Sequence, residues 1–94
     1  MEKRLLILEG FAEARRNRLL GLWAAGKLGL SGEAATTYAR ETVAAAFAEG
    51  GETAVIGKLS GDFAAKDVAV SPQEIRARMG EFLAQAIAQL KAEG

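Results

Sequence analysis

The stretch ARRNRLLGLWAAGKLGLSG, residues 14–32, joins an arginine cluster to an apolar run and ends in small residues. The apolar run consists of Leu19, Leu20, Leu22 and Trp23. Gly29 suits the position after a helix C-terminus, and Ser31 suits the N-cap of a following helix. The stretch therefore predicts the last turns of one helix, a short turn and the start of a second helix.

Apolar spacing and turn signals on either side of this stretch predict four helices. They cover residues 2–28, 32–49, 52–66 and 72–92. The last begins with the strongest local signal, because Ser71 can cap it, Pro72 takes the first helical position and Glu74 lies three residues after the serine. Short connections make neighbouring helices antiparallel. We expect an all-α fold, a four-helix bundle-like single domain over residues 1–94.

Several glycines lie inside these predicted helices. Gly10 and Gly21 each weaken the first helix by about 1 kcal/mol relative to alanine. Gly57 and Gly61 lie four residues apart and indicate either close helix packing or local weakness. Residues 1–13 are expected to form a mobile N-terminal extension of the first helix, because fewer packing partners are available to them.

The residue types disfavour an enzyme. The chain has no cysteine and no histidine, so the thiolate nucleophile and the usual general base near neutral pH are both missing. We expect no metal site either. The carboxylate pairs Glu49/Glu52 and Asp62/Asp67 are interpreted as solvated helix ends, since buried unpaired charges are rare.

The formal net charge is zero, which argues against a general nucleic-acid binder. Residues 1–30 nevertheless carry six Lys/Arg and three Glu, whereas residues 31–94 carry six Lys/Arg and nine Asp/Glu. The first helix is thus mildly basic and suits an acidic partner. The apolar run at residues 5–8 is too short for a signal peptide or a membrane span, so we expect a cytoplasmic protein.

Arg15, Arg16 and Arg18 form the densest donor cluster, together with Asn17. Three guanidiniums and an amide can clamp phosphate or carboxylate groups, or they can form a solvated helix face. The residue pattern leaves both interpretations open.

Trp23 and Tyr38 are the candidate aromatic contacts. Trp23 is expected to anchor the core, with a role in partner binding as the alternative. Tyr38 is expected to bury its ring and direct its hydroxyl towards the surface, or else to line a ligand groove. The N-terminal segment has an amphipathic character that suits docking on a partner. Its candidate contact residues are Lys3, Arg4, Leu5, Leu8 and Phe11.

The sequence of residues 14–32 resembles the signature of the zeta subunit family, the ATPase inhibitors of alpha-proteobacterial F-type ATP synthases. The likeness continues through Tyr38-Ala39, Val43, the turn FAEGGE at residues 47–52, DFAAK at residues 62–66, Ser71 and IRARM at residues 75–79. It covers approximately residues 13–90 and is most specific at residues 15–25.

The resemblance implies a four-helix protein whose N-terminal segment enters an interface between catalytic subunits of the synthase and blocks ATP hydrolysis. Residues 1–18 are the expected inserting segment, and the protein is expected to lie at the membrane periphery through the synthase. Family members carry a longer segment before the arginines, whereas 14 residues precede Arg15 here. A divergent member that binds without inhibiting is therefore one alternative.

Two further hypotheses remain. One is a nucleotide-responsive module with weak ADP or ATP binding, in which Arg15, Arg16 and Arg18 meet the phosphates and Trp23 or Tyr38 stacks on the base. The other is a plain helical interaction domain.

Overall fold

The computed structural model describes residues 2–93, and it describes the side chains of residues 10–93. Four helices account for the described elements: α1 (Glu2–Lys27), α2 (Gly32–Ala45), α3 (Glu52–Ala65) and α4 (Pro72–Glu93). The predicted all-α, four-helix fold is confirmed. Residues 1–13 are predicted to be mobile. The side chains of residues 1–9 lie outside the described set, so this stays a prediction.

Helix α1 is the axis of the fold, because it packs along both α2 and α4, while α3 closes the core against those two helices. Arg15 contacts Glu93, whereas Trp23 lies beside Arg78, so α1 and α4 run antiparallel. The core consists of Leu20, Ala24, Ala25, Tyr38, Val55, Ile56, Leu59, Phe63, Ile75 and Met79. Each helix thus contributes its apolar stripe to one common interior.

Trp23 anchors this core from α1. Its ring packs edge-on against Phe63 of α3, with ring centroids 5.8 Å apart and an interplanar angle of 77°. This is a favourable geometry for two aromatic rings. The predicted role of Trp23 as a core anchor is confirmed.

Helices α1 and α2 lie very close together where they cross. A Cβ on Gly21 would lie 2.7 Å from Cα of Ala39 and 2.8 Å from Oγ1 of Thr42. Thr42 is fully buried there, and its hydroxyl donates a hydrogen bond to the Tyr38 carbonyl at 2.9 Å. The two backbones can be this close only because residue 21 has no side chain.

The helix ends follow the local signals closely. Gly29 has φ +80°, and the Leu30 N–H bonds to the Ala25 carbonyl at 2.8 Å, which completes a Schellman C-cap after α1. The Glu74 N–H donates to Ser71 Oγ at 3.1 Å, as the sequence predicts. Ser31 lies at the N-cap position of α2 with extended backbone but makes no side-chain cap hydrogen bond.

The predicted end of α2 at residue 49 is wrong, because the helix stops at Ala45. The N–H groups of Ala46, Phe47 and Ala48 bond to carbonyls three residues back, as in a 3₁₀ turn. Gly50 and Gly51 then adopt φ +101° and +51° and reverse the chain into α3. This tight reversal leaves the Phe47 side chain 85% exposed.

Gly57 and Gly61 face solvent, and a Cβ at either position would meet nothing within 4 Å. The close-packing explanation of this pair is therefore wrong. The two glycines weaken α3, whereas Gly21, which sequence reasoning treated only as a weak point, is the glycine that packing requires.

We expect Gly21→Ala to lower the free energy of unfolding by about 1–3 kcal/mol, because its methyl group would overlap Ala39 and Thr42. The matched control Gly57→Ala should raise it by about 1 kcal/mol, since the same methyl group projects into open space and alanine favours the helix. Urea unfolding of the two variants measures both effects. Equal stability changes of the same sign would contradict the crossing described here.

Candidate functional site

Arg15 is tied to the C-terminal end of α4. Its guanidinium makes a two-pronged ion pair with Glu93, in which Nη2 lies 3.0 Å from Oε1 and Nη1 contacts Oε2. Gln89, one turn earlier on α4, accepts a longer bond at 3.5 Å. The hydrogen bond from Arg15 lowers the pKa of the Glu93 carboxyl. Arg15 therefore links α1 to α4 rather than projecting freely into solvent.

The other members of the cluster face different neighbours. Arg16 Nε donates to Asn17 Oδ1 at 3.1 Å, and Asn17 itself is buried. Arg18 is exposed and borders α2. Successive residues on a helix point about 100° apart, so these side chains do not converge on one point. The structure brings Arg15 and Arg18 together along one groove.

That groove lies between the N-terminal half of α1 and the C-terminal parts of α2 and α4. It has a volume of about 650 Å³. We refer to it as the Phe11 groove, and it is lined by Phe11, Ala14, Arg15, Arg18, Leu19, Val43, Gln89, Leu90 and Glu93. Phe11 is 59% exposed, whereas the next residue, Ala12, is buried. The groove combines an apolar surface with two guanidiniums at the open end of the bundle.

Tyr38 belongs to a separate polar cluster between α2 and α3. Its ring is buried, as predicted, and its hydroxyl donates a hydrogen bond to Asp62 Oδ2 at 2.7 Å, a partner the sequence did not indicate. Lys58 Nζ bonds to the same oxygen at 3.0 Å and lies 4.5 Å from the centre of the Tyr38 ring. It also lies 3.7 Å from Glu41. The cluster joins α2 to α3 through charge-assisted contacts.

Ionisation within this cluster follows from its contacts. Burial opposes ionisation of Asp62, but the hydrogen bonds from Tyr38 and Lys58 outweigh it and lower the pKa of the carboxyl. Burial, and then the hydrogen bond to Asp62, raises the pKa of Tyr38. Asp62 was interpreted as a solvated helix end, and that is wrong: it lies inside α3 and accepts two hydrogen bonds.

The predicted site residues therefore fall into several places. Arg15 and Arg18 line the Phe11 groove. Trp23 lies against Phe63, and the Arg78 guanidinium is 5.8 Å from the centre of the Trp23 ring. Tyr38 lines a separate groove with Lys58 and Asp62. The side chains of four further candidates lie outside the described set: Lys3, Arg4, Leu5 and Leu8. Their roles, and the grouping of arginines with aromatics around a nucleotide, stay predictions.

Sequence reasoning missed the acidic partners that give the arginines and tyrosine their positions. Glu93 lies four residues after Gln89, and Asp62 four residues after Lys58, so both pairs share a helix face. That spacing identifies the face but not the helix opposite it. Within the described part of the chain, no cluster of three or more potential metal ligands occurs, and no helix has the length and apolarity to cross a bilayer.

Comparison with known protein families shows which family this chain belongs to. The model of the family described as ATPase inhibitor subunit zeta matches residues 8–89. This chain belongs to that family. The match includes the arginine cluster, the Gly21 crossing and most of α4, and it confirms the resemblance read from residues 14–32. The family is a regulatory one, named for an inhibitor subunit.

A solved structure supports the same assignment. A solution NMR structure shares 46% sequence identity with this chain and has a TM-score of 0.76, covering 88% of this chain and 94% of that one. Among curated proteins, no relative matches.

The hydrogen bond between Tyr38 and Asp62 is expected to make the free energy of unfolding depend on pH in the acid range. A carboxyl with a lowered folded-state pKa contributes stability that is present above its ordinary pKa of 3.8 and lost as pH falls through the folded value. We expect Tyr38→Phe to lower the free energy of unfolding by about 1 kcal/mol at pH 7 and to flatten its decline below about pH 4. Urea unfolding between pH 7 and pH 3 measures both.

Asp62→Asn is the companion variant, because it removes the titrating group itself. It should show the same flattened acid dependence. Stability curves for wild type and Tyr38→Phe that stay parallel down to pH 3 would show that the contact does not perturb Asp62.

Proposed function

We propose that this protein regulates an F-type ATP synthase by binding its catalytic head and limiting ATP hydrolysis. The observation that carries the proposal is the zeta-family match over residues 8–89, which spans all four helices. A protein with this role lies on the cytoplasmic side, at the membrane periphery through the synthase.

The arrangement of α1 supports an inserting N-terminal segment. The backbone of α1 is helical from Glu2 onward, Gly10 and Phe11 are exposed, and Ala12 is the first buried residue among the described side chains. The Arg15–Glu93 ion pair holds the next turn of α1 against α4. The bundle therefore fixes the direction of the helix that carries the N-terminal segment.

In the proposed complex, the first part of α1 enters a catalytic interface and the bundle supports it from outside. Lys3, Arg4, Leu5, Leu8 and Phe11 are the proposed contacts of the inserted segment. Arg15, Arg16, Asn17 and Arg18 follow at its base. An amphipathic helix that docks into a groove between subunits gains affinity from its apolar face and orientation from its charges.

A weak site for ADP or ATP is the second proposal, favoured by the presence of Arg15 and Arg18 along one groove. Phosphate oxygens would compete with Glu93 for the Arg15 guanidinium, which accounts for weak binding. An NMR titration with ADP and ATP tests it, and we expect shifts at residues 14–40 at millimolar nucleotide. Unchanged spectra at that concentration would contradict the site.

We expect the full chain to reduce ATP hydrolysis by a reconstituted catalytic head, and a variant lacking residues 1–10 to lose that inhibition. The deletion stops short of Ala12, so circular dichroism and thermal unfolding should show that the bundle is retained. Hydrolysis is measured across a range of inhibitor concentrations.

Arg76→Gln provides a folded control, because it alters an exposed charge near the start of α4, at the opposite end of the bundle from the Arg15–Glu93 pair, and it should inhibit like the full chain. Absence of both binding and inhibition by the full chain would refute the proposed function. Full inhibition by the deletion variant would place the active segment elsewhere in the chain.

A further inference from the structure

A second, smaller groove lies at the α1–α2 junction and shares Arg18 and Val43 with the Phe11 groove. It has a volume of about 300 Å³ and is lined by Arg18, Thr36, Ala39, Arg40 and Val43. We refer to it as the Arg18–Arg40 groove. Two arginines from different helices border it, and Ala39 and Val43 give it an apolar floor. Arg40 was not among the residues that sequence reasoning selected.

The Gly21 crossing explains why the two arginines meet. Gly21 brings α1 against Ala39 and Thr42 of α2. Arg18 lies one turn before Gly21 in α1, and Arg40 directly follows Ala39 in α2, so both arginines extend from backbone next to this crossing. The crossing thus brings the two side chains to one groove.

Neither groove arginine makes an ion pair within the bundle. Among the side chains of residues 10–93, ion pairs involve Arg15, Lys58 and Arg78, and Arg18 and Arg40 are among the remaining Lys and Arg side chains that make none. Both are exposed. Two like charges beside one groove repel each other, and an anion between them replaces that repulsion by attraction.

The acidic residues of α2 line a separate groove. Glu33 and Glu41 border it together with Tyr38, and Glu41 faces Lys58. No carboxylate lines the Arg18–Arg40 groove among the described residues. The lining of this groove is therefore positive.

We propose that the Arg18–Arg40 groove binds an aspartate or glutamate side chain of the protein partner. This rests on the proposed function, in which that partner is the catalytic head of the ATP synthase. Guanidiniums bind carboxylates through paired, charge-assisted hydrogen bonds. A groove of 300 Å³ is at the lower limit for small-molecule sites, so it suits one side chain better than a nucleotide.

Arg40→Gln is the deciding variant, because Arg40 takes no part in the Phe11 groove. The affinity of the full chain for the purified catalytic head is measured for wild type, Arg18→Gln, Arg40→Gln and the double variant. We expect each single change to raise Kd about 5–10-fold. The double variant should raise Kd by less than the product of the two single-variant fold increases, because both arginines bind the same carboxylate.

Arg76→Gln is the matched control, since it removes the same charge from an exposed position on α4. Its Kd should stay within about twofold of wild type, because a distant surface charge changes long-range attraction only. Thermal unfolding of all variants should be unchanged, since neither groove arginine makes an ion pair within the described side chains.

The outcomes separate the two proposals. If the wild-type chain does not bind the head, the proposed function fails and this inference fails with it. If wild type binds and Arg40→Gln binds as Arg76→Gln does, the inference is overturned while the proposed function stands. If Arg40→Gln keeps its affinity for the head but loses the NMR shifts caused by ADP, the groove binds phosphate, which also overturns the inference.

Discussion

The contact between Gly21 and the backbone of α2 sets the distances on which the rest of the structure depends. A missing side chain lets α1 lie directly against Ala39 and Thr42, and α2 then delivers Tyr38 to the core. The same crossing places Arg18 beside Arg40 and Val43. A wider crossing would separate these groups, because helices with ordinary side chains at the contact lie 8–10 Å apart or more. One glycine thus controls both the packing of the core and the geometry of the basic surface.

The arginine cluster is the second organising feature, and its members have separate roles. Arg15 joins α1 to the end of α4, Arg16 contacts the buried Asn17, and Arg18 borders two grooves. This division follows from helix geometry, since adjacent residues point in different directions. The most specific part of the family signature therefore combines an interhelical ion pair with an arginine that lines two surface grooves. Both lie next to the N-terminal segment that the proposed function inserts into the synthase.

Helix α3 is held by an apolar stripe and by polar contacts to α2. Two exposed glycines weaken it, and it begins after the glycine turn at residues 50 and 51. Its apolar face is buried through Val55, Ile56, Leu59 and Phe63, and Asp62 connects it to Tyr38 and Lys58. At its C-terminal end, Asp67 adopts φ +57° and completes a second Schellman cap, in which the Val68 N–H bonds to the Phe63 carbonyl at 2.8 Å. The apolar stripe and the polar contacts together hold this helix in place.

Local patterns in the sequence determined the helical class, the caps at Gly29 and Ser71, and the family signature, because each depends on residues close together along the chain. They also identified Trp23 as a residue that packs against the core. They did not determine the end of α2, since Ala46 and its neighbours favour a helix and only the reversal into α3 prevents one. They did not distinguish Gly21 from Gly57, or reveal that Glu93 pairs with Arg15, that Asp62 pairs with Tyr38, and that Arg40 lies with Arg18 along one groove. Those features arise where residues distant in sequence meet, so the packing of one helix on another decided them.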